Sequence, residues 1–197
     1  MNRVKNFVAS TQIQWRKRSY HSESISFPDA ISSANHVLVC LPEGLRELTT
    51  VKPYLPELVD IFAPAEMYLL ASPGAQNITN ILPRRGYRIL APTESNATWS
   101  GLPKSPYLRS IRNNPIDLIV DLNLAFNPFV ARMLLEFESV VKIGVGNLLG
   151  GPFYNLEVRT SYLRDERNIY RSLIDTVAGL RNPITRDGFN QTRLARL

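Results

Sequence analysis

The sequence predicts an α/β domain of the Rossmann-like type, in which a mainly parallel sheet of about six strands lies between two layers of helices. Short apolar segments alternate with amphipathic segments along the chain, as strands alternate with crossover helices in such folds. The strand segments are continuously apolar, which is typical of strands buried on both faces. The 197 residues, 44% of them hydrophobic, suffice for one three-layer domain with tails.

The first strand and the first long helix have the clearest patterns. His36–Leu41 is a continuous apolar segment and predicts the first strand. Apolar side chains at three- and four-residue steps predict a helix over 45–62. Pro53 and Pro56 are expected to kink that helix, because proline lacks the backbone N–H and clashes with the preceding turn.

The remaining elements follow from the same two patterns. Apolar runs bounded by Gly, Pro or Asn predict strands, and amphipathic stretches predict helices. The predicted strands are 66–71, 87–91, 116–122, 140–143 and 153–158, and the further helices are 76–82, 127–136 and 162–180. The Pro-, Ser- and Thr-rich segment 92–106 predicts an exposed loop, and loops of that length in compact domains often carry function.

The predicted domain covers residues 35–180, between a basic N-terminal extension (1–34) and a basic C-terminal tail (181–197). The net charge is +6, and the first 20 residues carry five Lys and Arg without an acid. This distribution disfavours nucleic-acid binding, which is expected to place basic residues on a folded face. The N-terminal segment fits three descriptions: a frayed helix packed on the domain, which we favour, a helix lying on an anionic membrane surface, or a mitochondrial transit peptide.

Several chemistries are excluded by what the sequence lacks. A single cysteine, Cys40, excludes an internal disulfide and a Cys-rich metal site. There is no Walker loop, HExxH or GxSxG motif, and we predict no metal and no cofactor. We expect structural roles for His36 and Cys40. The glycine-rich run 144–151 predicts a plain turn, because Leu149 stands where a nucleotide fingerprint needs its third glycine.

Parallel α/β sheets bind ligands beyond the carboxyl ends of their strands. In this chain those positions are predicted to be 42–47, 72–75, 92–101, 123–127 and 144–151. Candidate functional residues are therefore sought in these loops.

Three stretches resemble the N-terminal domain of the ADP-heptose:lipopolysaccharide heptosyltransferase family of GT-B glycosyltransferases. Val37–Glu47, followed by Pro53, is similar to the family's first strand and the loop that opens its first helix. Ile116–Asn123, followed by VKIG at 141–144, is similar to its Asp-Leu-Val-Ile-Asp-Leu-Gln stretch and its Arg-Ile-Gly strand. The third stretch consists of FYN at 153–155 and the segment 167–173. It is similar to the part of the family that leads to its interdomain helix. The order and spacing of these matches, over about 36–180, carry the resemblance.

The resemblance implies where a ligand would bind. In the family the first domain holds the acceptor sugar and the second binds the nucleotide sugar across a cleft. An aspartate after a glycine is thought to activate the acceptor hydroxyl, and Arg46-Glu47 stands at that pair here. Glu47 is thus the candidate catalytic base, although a solvated carboxylate in the first turn of a helix is also favoured by the helix dipole. The candidate ligand-binding residues are Glu43, Gly44, Arg46, Asn123 and Asn127.

We hypothesise that the chain is a stand-alone, heptosyltransferase-like N-terminal domain and not a complete enzyme by itself. It would bind a partner protein, a second copy of itself, or a sugar or lipid ligand at the former cleft face. One alternative is the acceptor-binding half of a split glycosyltransferase that acts on cell-envelope glycan such as lipopolysaccharide core. Another is a structural module attached to a membrane surface or a ribosome by its basic ends. The expected location is cytoplasmic, with peripheral contact of residues 1–20 at the inner face of the membrane as an option.

Overall fold

A computed structural model describes residues 2–21, 26–74, 82, 86–146, 149–159 and 165–182. The strands in these ranges form one sheet in the order β3-β2-β1-β4-β5-β6, and every neighbouring pair is parallel. The strands are β1 (His36–Cys40), β2 (Glu66–Leu70), β3 (Arg88–Leu90), β4 (Leu118–Asp121), β5 (Val141–Val145) and β6 (Leu156–Val158). The predicted fold class is therefore confirmed: a single α/β domain with a six-stranded parallel sheet.

The helices of the described ranges flank this sheet. They are α1 (Asn2–Arg18), α2 (Phe27–Ser32), α3 (Leu45–Val51), α4 (Leu55–Phe62), α5 (Ser105–Arg112), α6 (Pro128–Leu134) and α7 (Glu166–Arg181). A 3-10 turn, Lys52–Tyr54, separates α3 from α4. Pro53 lies inside that turn and Pro56 in the first turn of α4, so the predicted interruption of the long helix is confirmed.

Alternate side chains of β1, β2 and β4 enter two separate hydrophobic cores. Val37 and Val39 point into the core formed with α2, α3, α4 and α7. Leu38 and Cys40 point into the core formed with α1, α5 and α6. The continuously apolar strands thus reflect burial on both faces, and Cys40 is a fully buried thiol as expected.

Some elements differ from the sequence-based expectation. α5 begins at Ser105, inside the segment predicted as loop. The buried side chains of Leu108 and Ile111 pack this short helix against the sheet. β5 continues to Val145, beyond the predicted end at 143. The predicted helix 76–82 falls outside the described residues except for Leu82, which is buried. Most of the predicted basic tail, from 183 onward, also lies outside them.

The amino edge of the sheet is tied together by one carboxylate. Oδ2 of Asp117 accepts hydrogen bonds from the backbone N–H groups of Asn35 and His36, each at 2.9 Å. It also lies 3.2 Å from Nδ1 of His36. His36 therefore has the structural role expected of it, at the edge opposite to the predicted ligand positions.

Within the part of the chain that the structure describes, no helix is long and apolar enough to cross a membrane.

Candidate functional site

The sheet reverses its direction of growth between β1 and β4. From β1 the chain adds β2 and β3 on one side, and from β4 it adds β5 and β6 on the other. β1 and β4 are neighbours, with Cys40 opposite Asp121. In open parallel sheets the loops at such a switch point diverge and leave a crevice, which is where ligands bind. Here these loops are residues 41–47 and 122–127, and we call the space between them the β1–β4 crevice.

The β1 loop presents charged groups around the start of α3. Gly44 is the N-cap of α3, and Glu47 is in its first turn. The Glu47 carboxylate folds back over Gly44, so that a Cβ at residue 44 would lie 2.8 Å from Glu47 Cδ and closer still to Oε2. Gly44 thus gives Glu47 the room to fold back. Glu43 and Arg46 are exposed.

Arg46 is directed toward α7. Its Nη2 lies 3.2 Å from Oε1 of Glu166 in the first turn of that helix. The Arg46 side chain is 83% exposed, so this ion pair contributes little to stability. Glu166 thus places a negative charge beside Arg46, which is the cation of the β1 loop.

The β4 loop turns its amides inward. Oδ1 of Asn127 accepts from the N–H groups of Phe129 and Val130, at 3.0 and 3.2 Å, and so caps α6. Nδ2 of Asn127 donates to Oγ of Ser72, at 3.3 Å. Both Asn127 and Asn123 are buried. Asn127 therefore holds the loops after β2 and β4 together.

Beneath the crevice lies a buried carboxylate that the sequence-based site did not include. Oδ1 of Asp121 accepts hydrogen bonds from the backbone N–H and Nδ2 of Asn123, at 3.0 and 2.7 Å. Its Oδ2 accepts from the hydroxyl of Tyr154, at 2.7 Å. Burial raises the pKa of Asp121, and the hydrogen bonds from Asn123 and Tyr154 oppose that rise. An acid that ends an otherwise apolar strand was the sequence signal for this group.

The two sides of the crevice share a floor made by α7. The hydroxyl of Tyr170 donates to the carbonyl oxygen of Leu122, at 3.1 Å, at the start of the β4 loop. Burial raises the pKa of Tyr170, and the nearby carboxylates of Glu47, Glu166 and Asp121 raise it further. The Tyr170 hydroxyl thus joins α7 to the start of the β4 loop.

Large apolar side chains are exposed on the loops at this edge of the sheet. Leu45 is 65% exposed, Trp99 63% and Phe126 42%. Trp99 belongs to the predicted loop after β3. This loop has internal hydrogen bonds: Thr93 and Asn96 form a capping box, and Ala97 pairs with Pro103. The carboxyl edge therefore combines carboxylates with accessible apolar surface.

Removing the Tyr154 hydroxyl tests the buried carboxylate. We expect Tyr154→Phe to lower the free energy of unfolding by about 2 kcal/mol, because Asp121 loses a donor that water cannot replace. Tyr87→Phe is the control, since the buried Tyr87 hydroxyl has no hydrogen-bond partner among the residues that the structure describes. The free energy of unfolding of Tyr87→Phe, measured in urea, should lie within about 0.5 kcal/mol of that of the unmodified protein. Equal effects of the two substitutions would contradict the assignment.

No group of three or more His, Cys, Asp or Glu in the described ranges is placed to hold a metal ion. The structure brings Glu43, Gly44, Arg46 and Glu47 together on one side of the crevice and Asn123 and Asn127 on the other. Their roles in binding or catalysis remain predictions.

The strand order and the two helix layers define a Rossmann-like domain of the kind that forms one half of a GT-B glycosyltransferase. Among solved structures, the chain is similar to E. coli heptosyltransferase WaaC with ADP-2-deoxy-2-fluoro heptose, with a TM-score of 0.52 and 15% sequence identity. The match covers 82% of this chain and 55% of the WaaC chain, so this chain corresponds to about half of that protein. No protein-family model and no curated protein matches the sequence.

Proposed function

We propose that this chain is a glycosyltransferase-like domain that binds a sugar-containing acceptor in the β1–β4 crevice and does not transfer sugar by itself. The fold likeness to a heptosyltransferase supports the general class. A fold hosts many functions, and the residues of the crevice decide which ligand it can bind.

The charges of the crevice favour a sugar over a nucleotide diphosphate. Its two loops contribute the carboxylates of Glu43 and Glu47 and a single cation, Arg46, which Glu166 neutralises. A diphosphate needs several cationic or N–H donors directed at it. Sugar hydroxyls instead donate hydrogen bonds, and carboxylates accept them. The excess of carboxylates over cations in the crevice therefore supports a sugar ligand.

The apolar groups at the same edge complete a sugar site. Binding sites combine apolar walls with a few directed polar groups. Leu45 lies between Glu43 and Glu47 in the chain and is largely exposed, and so it can pack against the C–H face of a sugar ring. Glu47 would accept a hydrogen bond from an acceptor hydroxyl and, in a complete active site, take its proton.

Substitution of Glu47 tests this proposal. The probe is a deacylated lipopolysaccharide core oligosaccharide, titrated into the full chain by calorimetry. Glu47→Gln should weaken binding roughly 10- to 100-fold, because it removes one charge-assisted hydrogen bond. Asp60→Asn, which removes an exposed carboxylate on α4 away from the crevice, should leave the affinity unchanged. The chain alone should not consume ADP-heptose.

Two results would contradict the proposal. Turnover of ADP-heptose by the purified chain without a second protein would show a complete enzyme. Equal affinity of the Glu47→Gln variant and the unmodified chain would remove Glu47 from the site.

A second candidate function is the acceptor half of a split glycosyltransferase. The exposed Leu45, Trp99 and Phe126 favour it, because they lie at the carboxyl edge of the sheet, where the family resemblance implies the cleft between two domains. A tagged chain should then recover, in equal amount, a protein with a nucleotide-sugar-binding domain, and Leu45→Ser with Trp99→Ser should abolish the recovery. Self-association alone, seen as a dimer in analytical ultracentrifugation, would favour the homodimer and oppose the split enzyme.

A further inference from the structure

We propose that the helix layer formed by α1, α5 and α6 binds an anionic lipid surface, with the outward side of α1 inserted into the interfacial region. This inference goes beyond the proposed sugar site and does not depend on it. It rests on two observations made on the described residues: an exposed apolar stripe on α1, and a charge difference between the two helix layers.

The apolar stripe of α1 consists of Val4, Phe7 and Trp15, which are 62%, 73% and 71% exposed. α1 packs on the domain through Ala9 and Ile13, which are fully buried. With 3.6 residues per turn, the three exposed side chains lie within an arc of roughly 80°, on the side of the helix opposite to the packed one. α1 therefore has two apolar sides, of which the domain covers one.

The polar group within the stripe is already satisfied. Thr11 lies between Phe7 and Trp15 on the same side of the helix, and its hydroxyl donates to the carbonyl oxygen of Phe7 at 2.9 Å. Insertion of this side into a less polar medium thus leaves the Thr11 hydroxyl bonded. Trp and Phe on one side of a basic helix are typical of helices that lie in the membrane interface.

The layer that contains α1 is strongly basic. Over residues 4–20, 104–112 and 128–138 it carries eight Lys and Arg side chains against two acids. The basic residues are Lys5, Arg16, Lys17, Arg18, Lys104, Arg109, Arg112 and Arg132, and the acids are Glu136 and Glu138. The opposite layer, over 26–33, 45–62 and 165–181, carries five basic and seven acidic residues. The domain thus has one basic face and one slightly acidic face.

Some of the basic side chains form ion pairs within the layer, and others are exposed to solvent. Glu136 lies within ion-pair distance of Arg16, Arg112 and Arg132. Arg18, Lys104 and Arg109 are exposed. Anionic lipid provides negative charge beside a continuous apolar layer into which the whole stripe can insert, as basic amphipathic helices do at a membrane interface. The coincidence of the apolar stripe and the basic face therefore favours a lipid surface.

Vesicle binding by the full chain tests this inference. We expect co-sedimentation with phosphatidylcholine vesicles that contain phosphatidylglycerol, and little with phosphatidylcholine alone. Phe7→Ser with Trp15→Ser should weaken binding at least roughly tenfold, and Phe7→Leu with Trp15→Leu should retain it. Arg18→Glu with Arg109→Glu should weaken binding roughly fivefold or more for each charge. Lys52→Glu with Arg167→Glu, on the opposite layer, is the matched control and should bind like the unmodified chain.

Fluorescence of a single tryptophan locates the contact. The chain has two tryptophans, so Trp99→Phe leaves Trp15 alone, and its emission should shift to the blue on anionic vesicles. Failure to bind anionic vesicles, equal binding to neutral ones, or no effect of the serine substitutions would each overturn the inference. Tighter binding to an RNA oligonucleotide than to vesicles at the same salt concentration would overturn it too. Circular dichroism confirms that each variant is folded.

Discussion

Replacing Gly144 by alanine is expected to lower the free energy of unfolding by about 3 kcal/mol. Gly144 lies in β5, and a Cβ there would come within 2.7 Å of Cδ1 of Tyr154 and closer still to Cε1 and Cζ. The Tyr154 ring is buried and cannot move aside without loosening its 2.7 Å hydrogen bond to Asp121. The added methyl group therefore strains the strand or breaks that bond.

Gly179→Ala is the matched control, because it adds the same methyl group in open space. Gly179 lies in α7, and a Cβ there would meet nothing within 4 Å. Alanine favours the helix over glycine, so this variant should gain roughly 0.5 to 1 kcal/mol. Urea unfolding at neutral pH measures both. If the free energy of unfolding of Gly144→Ala lies within about 0.5 kcal/mol of that of the unmodified chain, the tight contact between β5 and Tyr154 is refuted.

The second large effect is the pH dependence that Lys142 causes. Lys142 is fully buried in β5, and its Nζ donates to the Tyr20 hydroxyl at 2.5 Å and to the Phe137 carbonyl oxygen at 2.8 Å. Burial lowers the pKa of Lys142 from 10.5 to about 8. The folded state thus binds this proton less tightly than the unfolded state. The corresponding stability is fully present above pH 10.5 and is lost as the pH falls to 8.

Comparison with Lys142→Met isolates this effect. The unfolding free energy of the unmodified chain minus that of the Lys142→Met variant should rise by about 2 to 3 kcal/mol from pH 7 to pH 10. Cys40 and the buried tyrosines also titrate toward high pH, but they are present in both proteins and largely cancel. Urea unfolding at several pH values measures the difference. A constant difference across that range would mean that the Lys142 pKa is not lowered in the folded state.

Much of the fold follows from local sequence patterns. The two-sided burial of β1 shows in the unbroken apolar run His36–Leu41, and Pro53 marks the break between α3 and α4. The positions of Glu43 and Glu47 at the carboxyl edge follow from the end of β1. These features depend on neighbouring residues, so a single sequence carries them.

The missed features depend on contacts between distant segments. Tyr154 meets Asp121 across 33 residues, and neither partner identifies the other in the sequence. Lys142 is a single lysine in an apolar strand, and its burial depends on Tyr20, 122 residues away. The basic face likewise emerges only when the fold places α1, α5 and α6 on one side of the sheet. Charge counted along the chain does not reveal it.

The two proposed surfaces lie close together. Ile13 and Lys17 of α1 line a small cavity with Phe126 of the β4 loop, at the carboxyl edge. Tyr20 contacts the carbonyl oxygens of Phe137 and Glu138, beyond the end of α6. α1 thus runs beside α6, from the β4 loop near Phe126 to the end of α6. A membrane that lies against α1 would therefore also lie beside the β4 loop.

Locating the bound sugar by NMR tests most directly whether the β1–β4 crevice is the binding site. Backbone amide shifts of the full chain are followed while the deacylated core oligosaccharide is added. Binding in the β1–β4 crevice predicts shifts at 43–47 and 122–127, with none at Asn35, His36 and Asp117 on the amino edge. Shifts confined to the amino edge or to α1 and α5, or no shifts at saturating oligosaccharide, would show that the sugar does not bind in the crevice.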